Sequence, residues 1–285
     1  LLHLSILGVG VALRLGSGRF RILVKENSGL ELTILGCGTS TGVPLINCKC
    51  RVCRSHNPRN KRLRTSAWIR WKGKSLLIDA STDFRQQALK HRIKHLDAVL
   101  FTHPHADHVN GIDELRCYNF TQKSRIPVYG NGWTTAELGE KFKYIFTPGA
   151  QEGGGIPLLD LHAIGQDARQ VEIAGLRVEP VRLMHGSKES LGYKFDGVAY
   201  LTDCSYIPDQ SLEKVKGIDV LVIDCLREKP HGTHFNLDQA LEVIARLRPR
   251  KAYLTHLSHD VDYAALARKL PRGVYPAFDG LRIKV

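Results

Sequence analysis

No apolar run in the sequence approaches the roughly 20 residues that a membrane-spanning helix needs, so no membrane partner is expected. Internal repeats and low-complexity tracts are also missing, which excludes solenoid and fibrous architectures. Acidic residues are scarce beside basic ones, 28 against 41, and the net charge of +13 favours an anionic partner. The seven cysteines are an odd number in a chain too long to need disulfide staples, and they fit a reducing, cytoplasmic setting. The first fifteen residues have the apolar character of a signal-peptide core but lack a basic leader and a clear cleavage site. Residues 1–29 therefore read as an N-terminal extension to a domain of residues 30–285. Hydrophobic and charged fractions of 43% and 24% are ordinary for a globular protein. A chain of this length buries about three quarters of its unfolded surface.

What the sequence does have is concentrated in T-H-P-H-A-D-H-V-N, residues 102–110, directly after the apolar run Ala98 to Phe101. Side chains of an extended segment alternate in direction, so His103 and His105 can face one ion while the following turn swings Asp107 and His108 towards a second. The pattern repeats more thinly along the chain. Short apolar strands end at Asp79, His103, His185, Asp203 and His256, and strand ends gathered at one sheet edge place such side chains in a common crevice.

A second cluster, Cys48-Lys49-Cys50-Arg51-Val52-Cys53, puts three thiols within six residues. Disulfides between cysteines this near are strained, and a soft metal explains them better, with a fourth ligand from elsewhere. Residues 59–74 carry seven basic side chains interleaved with Trp68 and Trp71; a nucleic-acid track competes there with a solvated hairpin whose Trp68 packs inward, and the hairpin is favoured. Periodicity predicts helices over 84–91, 109–118, 135–145 and 237–247. It predicts strands over 30–35, 75–78, 96–101, 126–129, 157–164, 170–173, 176–183, 191–195, 198–201, 218–223 and 251–254. The glycine-rich stretch 147–156 reads as a flexible connection able to lie over a cleft. Cys117, Cys204 and Cys225 read as small buried apolar residues.

With H-P-H-A-D-H at His103 to His108, then His185, Asp203 and His256 in order, the sequence resembles the metallo-β-lactamase superfamily over residues 30–285. The resemblance implies an α+β fold, an αββα four-layer sandwich of two mixed β-sheets with metals at one edge. It also implies that one ion takes His103, His105 and His185, the other takes Asp107, His108 and His256, and Asp203 bridges them. Within the superfamily the sequence is most similar to the PhnP phosphodiesterases. That similarity rests on C-K-C-R-V-C at Cys48 to Cys53, T-H-L-S-H at Thr255 to His259, G-V-P at Gly42 to Pro44 and F-D-G at Phe278 to Gly280. It implies a structural zinc on Cys48, Cys50, Cys53 and His259, and a proton-donating role for His234. Ribonuclease Z shares a similar G-T-S-x-G-V-P opening but not the cysteine trio. The PqqB proteins share C-x-C-x-x-C but lack the intact histidine motif.

The expected function is thus hydrolysis of a small phosphodiester, cyclic ones included, by a water that two divalent ions, zinc, manganese or iron, acidify towards neutrality. An RNA-processing nuclease, a PqqB-like ligand-binding protein and a lactone or thioester hydrolase are the alternatives, and a homodimer is allowed. His234 would protonate the leaving alkoxide. Asp79 would orient a ligand histidine through its free ring nitrogen. For Asp83, Thr39, Ser40 and Lys188, contact with the phosphate competes equally with ordinary loop chemistry.

Overall fold

The computed structural model describes residues 11–14, 20–23, 29–147, 149, 155–165 and 167–285. Strands β1 (Val11–Arg14) and β2 (Phe20–Leu23) pair antiparallel with each other and join neither of the larger sheets. Most of the expected extension and of the glycine-rich connection lies outside the described residues.

From residue 30 the chain builds one sheet and then a second. The first holds β3 (Glu31–Gly36), β4 (Ser66–Trp71), β5 (Lys74–Ile78), β6 (Ala98–Leu100), β7 (Ile126–Asn131) and β8 (Leu159–Ile164). The second holds β9 (Val171–Ile173), β10 (Leu176–His185), β11 (Lys188–Phe195), β12 (Val198–Leu201), β13 (Val220–Asp224), β14 (Lys251–Thr255) and β15 (Val274–Pro276). The last strand, β16 (Arg282–Lys284), returns to the first sheet beside β3. Both sheets are mixed. The first runs antiparallel through β16, β3, β4 and β5 and parallel from β5 to β8. The second runs antiparallel from β9 to β12 and parallel from β12 to β15.

Helices cover the outer faces. They are α1 (Phe84–His91), α2 (Ala106–Val109), α3 (Arg116–Gln122), α4 (Gly132–Lys141), α5 (Lys143–Phe146), α6 (Asp209–Lys214), α7 (Leu237–Leu247) and α8 (Tyr263–Lys269). Leu77, Val99, Phe101 and Val128 of the first sheet and its margin pack against Phe84, Leu115 and Leu138. Leu221 and Ile223 of the second pack against Leu237, Val243, Ile244 and Leu247. Between the sheets, Leu32, Ile34, Ile69, Ile78 and Leu100 meet Val178, Tyr193, Tyr200, Val220 and Val222. The layers therefore run helix, sheet, sheet, helix. Each such side chain taken from water contributes about 1.5–3 kcal/mol.

Local sequence explains the parts. Strand β13, Val220-Leu221-Val222-Ile223-Asp224, is buried at every position, which is why it reads as a continuous apolar run rather than an alternation. Helix α7 buries Leu237, Ala240, Val243, Ile244 and Leu247 on one stripe and starts with a reciprocal capping box between Asn236 and Gln239. In the β4–β5 hairpin Trp68 is buried and its indole N–H donates to Ser75 Oγ at 2.8 Å, so the tryptophan serves the core.

Three sequence expectations need correction. Residues 109–118 do not form one helix. Helix α2 ends at Val109, a 3-10 turn covers Ile112–Leu115, and α3 starts at Arg116. The break falls at Gly111, whose N–H donates to Ala80 O at 2.9 Å; a Cβ there would lie 2.1 Å from Ser81 O. The helix expected at 135–145 instead starts at Gly132, capped by Asn131, and is interrupted at Phe142. Cys117 is exposed, because it lies on the outward face of α3; Cys204 and Cys225 are buried. Among the described residues no helix is long and apolar enough to cross a membrane.

Candidate metal centre

Parallel register assembles the site. Leu201, Ile223 and Leu254 are neighbours across β12, β13 and β14, so the residues that follow, Asp203, Asp224 and His256, emerge at one edge. In the first sheet Ile78 pairs with Leu100, which brings Asp79 beside the segment Thr102-His103. The sheets are joined here: Leu191 N–H donates to Thr102 O at 2.8 Å, and Tyr193 O–H donates to Phe101 O at 2.6 Å.

Two groups of side chains meet at this edge. In one, His105 Nδ1 lies 3.0 Å from His103 Nε2 and 3.2 Å from His185 Nε2. In the other, His108 Nε2 lies 3.3 Å from Asp107 Oδ2, and His256 Nε2 lies 3.6 Å from the same oxygen. Asp203 Oδ2 sits between the groups, 3.1 Å from both His108 Nε2 and His256 Nε2 and 3.7 Å from His103 Nε2. A tetrahedral ion with bonds of about 2.1 Å separates its ligand atoms by about 3.4 Å, so these spacings suit divalent metal. One buried residue makes the same point independently. His256 is 1% exposed, and its Nε2 faces the carboxylates of Asp203 and Asp107 without a hydrogen bond of good geometry to either, a placement that a shared cation would satisfy.

The rest of the first-sheet edge orients these rings. Asp79 is fully buried and accepts from His108 Nδ1 at 2.7 Å, from Thr102 N–H at 2.8 Å and from Thr102 Oγ at 2.9 Å. Thr102 Oγ in turn accepts from His103 Nδ1 at 3.0 Å, so a single carboxylate fixes one ring directly and another through a hydroxyl. His185 Nδ1 donates to Thr233 O at 2.7 Å. Each of these bonds commits one nitrogen to carrying the proton and leaves Nε2 free to ligate.

Charge balance favours cations. Burial lowers the basicity of His103, His105 and His185, keeping their lone pairs available. Burial works against the ionised form of Asp203 too, but the imidazoles of His108 and His256 hold its carboxyl well below the usual range. At His108 the penalty of burial is outweighed by Asp203, Asp107 and Asp79, which raise its pKa and mark the spot as one where positive charge is stabilised.

His234 belongs to the same edge. Its ring stacks on that of His256, with centroids 4.5 Å apart, and approaches His185 at 4.7 Å. Its Nδ1 donates to Asp224 Oδ2 at 2.8 Å. Burial disfavours the imidazolium, yet the Asp224 charge and hydrogen bond prevail and push the His234 pKa up to about 9. Asp224 is the residue the sequence analysis missed. It ends β13 as Asp79 and Asp203 follow their own strands, so the strand-end pattern contained the signal.

Cys48, Cys50, Cys53 and His259 also come together, all four ligand atoms lying within 4.8 Å of one another. His259 Nδ1 is 3.4 Å from Cys48 Sγ and 3.6 Å from Cys50 Sγ, close to the roughly 3.6 Å expected between nitrogen and sulfur around zinc. The Cys53 N–H, donating to Cys50 Sγ, and then His259 lower the Cys50 pKa to about 6, which favours the thiolate a metal needs. Buried Arg62 ties the adjoining segments together by donating to Ser258 O and Val261 O, each at 2.8 Å.

Of the residues considered for phosphate contact, Asp83 is buried and paired with Arg64 at 2.9 Å, which directs it away from an anion. Thr39 is buried, Ser40 is exposed and accepts from Arg64 Nε through its carbonyl, and Lys188 is exposed opposite His185 in the β10–β11 register.

Comparison with known proteins agrees with this geometry. The family model described as beta-lactamase superfamily domain matches residues 74–257. A crystal structure described as a new diphosphatase from the PhnP family is 41% identical, covers 90% of this chain and 97% of its own, and superposes with a TM-score of 0.84. The chain belongs to the beta-lactamase superfamily, whose fold holds divalent metal, and within it to the PhnP-like proteins. An octanoyltransferase of Porphyromonas gingivalis is 41% identical over 258 residues, 88% of this chain but 51% of that protein; the chain spans about half the length of that relative. Zinc-bound PqqB from Methylobacterium extorquens shares the fold at 19% identity, with a TM-score of 0.74 and coverage of 90% of this chain and 100% of its own.

Proposed function

We propose that the chain is a dinuclear metal-dependent phosphodiesterase acting on a small phosphodiester. The observation that carries this reading is Asp203 Oδ2, equidistant at 3.1 Å from two histidines of one group and 3.7 Å from a histidine of the other. A carboxylate so placed would serve two ions. His103, His105 and His185 would hold one, Asp107, His108 and His256 the other, and the pair, zinc, manganese or iron, would supply Lewis-acid charge at the phosphoryl group and an acidified water.

The chain's own groups complete the reaction. His234, protonated at neutral pH by its contact with Asp224, donates a proton to the departing alkoxide. Asp79 holds His108 and, through Thr102, His103 against rotation, so their Nε2 atoms converge without reorganisation. The net charge of +13 attracts an anionic substrate, and the diphosphatase described for the 41% identical neighbour supports phosphorus chemistry over lactone or thioester hydrolysis. Cys48, Cys50, Cys53 and His259 would hold a third, structural zinc that pins the cysteine loop to the loop after β14.

The metal-loaded protein, offered bis-nitrophenyl phosphate, a cyclic ribose phosphate, a precursor tRNA and a lactone, is expected to hydrolyse the first two. Hydrolysis confined to the tRNA would favour a nuclease, and hydrolysis confined to the lactone would end the phosphodiesterase reading.

A further inference from the structure

The basic residues of the 59–74 segment divide once the chain is folded. Arg62 is buried and Arg64 is paired with Asp83, whereas the tip of the β4–β5 hairpin joins the turn after α1 to line a basic cleft of about 580 Å3. Strand β5 starts here at Lys74 and ends at Ile78, just before Asp79, so the cleft lies roughly 15 Å along the strand from the metal edge. Arg70 is paired with Glu31, and Lys74 with Asp97 at 3.2 Å. Lys72, Arg92 and Lys94 are exposed and make no ion pair among the described residues, which leaves the cleft an excess of positive charge. Arg70 stands over the Trp68 ring at 4.7 Å and Lys72 Nζ over the Trp71 ring at 4.8 Å, so each indole already carries one of the chain's own cations. The cleft thus offers charge rather than a stacking platform.

Arg92 and Lys94 also line a second cavity, of about 620 Å3, between α1 and α3. Its walls are apolar: Phe84, Ile93 and Tyr118 are buried, and Leu89, which lines it too, is 63% exposed. Tyr118 O–H donates to Ile93 O at 3.2 Å, and Arg92 N–H donates to Ala88 O and Leu89 O, which fixes both helices to the turn between the cavities. Arg92 closes α1 in the left-handed region at φ 53, a position glycine usually takes, and so sets a cation where the two cavities meet. Glu114 is the one acid lining the apolar cavity, against Arg85, Arg92 and Lys94. A flat bilayer surface cannot reach the recessed side chains of Phe84, Ile93 and Tyr118, whereas a single inserted chain can. Each volume falls within the range of small-molecule pockets.

We propose that the two cavities form one binding site for a phosphate-bearing amphiphile, with its anionic head among Lys72, Arg92 and Lys94 and its alkyl or acyl chain between α1 and α3. Charge beside recessed apolar surface suits a ligand built the same way. The site is remote from the metal edge, no bond is made or broken there, and it does not depend on the phosphodiesterase reading.

The test is calorimetry on the metal-loaded protein with decyl phosphate, decyl glucoside and inorganic phosphate, both decyl compounds kept below their micelle thresholds. Decyl phosphate is expected to bind at least about 10-fold more tightly than either of the others, because it alone fills both cavities. Lys94→Glu should remove the advantage of the phosphate over the glucoside, and Leu89→Asp should weaken both decyl compounds roughly 5- to 10-fold. Both positions are exposed, so the melting temperature and any hydrolysis of bis-nitrophenyl phosphate should stay as in wild type. Equal affinity of the wild type for the two decyl compounds, or variants that bind as wild type does, overturns the site. Decyl phosphate that competes with bis-nitrophenyl phosphate, with its binding unchanged in both variants, places its head at the catalytic metals and overturns it too. Sedimentation with phosphatidylglycerol vesicles in the absence of binding to free decyl phosphate would assign the surface to a bilayer and likewise overturn it.

Discussion

Asp224 accepts a hydrogen bond from His234 Nδ1 at 2.8 Å through the same oxygen that accepts from Cys204 N–H, so the acid is locked to the backbone that follows Asp203. This pairing raises the His234 pKa to about 9, which favours the imidazolium that proton donation needs. Asp224→Asn should lower kcat on the order of 10–100-fold for a substrate with a poor alkoxide leaving group. For nitrophenolate, which leaves without protonation, the loss should be much smaller. His234→Ala should show the same dependence, and equal losses on both substrates would remove the pair from proton donation.

Asp79 touches no substrate in this account; its effect passes through His108 and Thr102. Asp79→Asn should therefore weaken catalytic metal affinity roughly 10- to 100-fold, read by competition with a chelator, with activity largely restored at high metal concentration. Activity lost with metal affinity unchanged would assign Asp79 a different role.

The cysteine cluster predicts a third metal equivalent that is independent of the catalytic pair. In Cys50→Ser, elemental analysis should show that equivalent lost while two remain. A full third equivalent in the variant would contradict the structural zinc.

Asp262 caps α8 by accepting from Ala265 N–H and also accepts from Asn60 Nδ2, each at 2.9 Å. The Ala265 amide first, and the Asn60 contact with it, hold its carboxyl below the usual range. A depressed folded pKa means that the unfolded chain binds the extra proton, so the stabilisation is present above the unfolded value of about 3.9 and is lost as pH falls through the folded one. Asp262→Ala should cost about 1 kcal/mol in urea denaturation at pH 7, and its difference from wild type should shrink below about pH 4. A difference independent of pH would remove the charge from the explanation.

Much of the fold and site could be read in the sequence because its chemistry is dense and regularly placed. His103, His105, Asp107 and His108 lie within six positions, and Asp79, Asp203 and His256 each follow an apolar strand, so parallel pairing within each sheet and the packing of the two sheets gather them. Asp224 obeyed the same rule but falls outside the motifs that carried the resemblance. The break at Gly111 was hidden for a different reason. It depends on Ala80 and Ser81, some thirty residues earlier, and helical periodicity carries no record of so distant a contact.

The most direct measurement is anomalous diffraction at the metal edge from crystals of the metal-loaded protein. The account predicts two peaks at the sheet edge, one among His103, His105 and His185 and one among Asp107, His108 and His256, with Asp203 contacting both. A single peak, or none within ligand distance of Asp203, would contradict it.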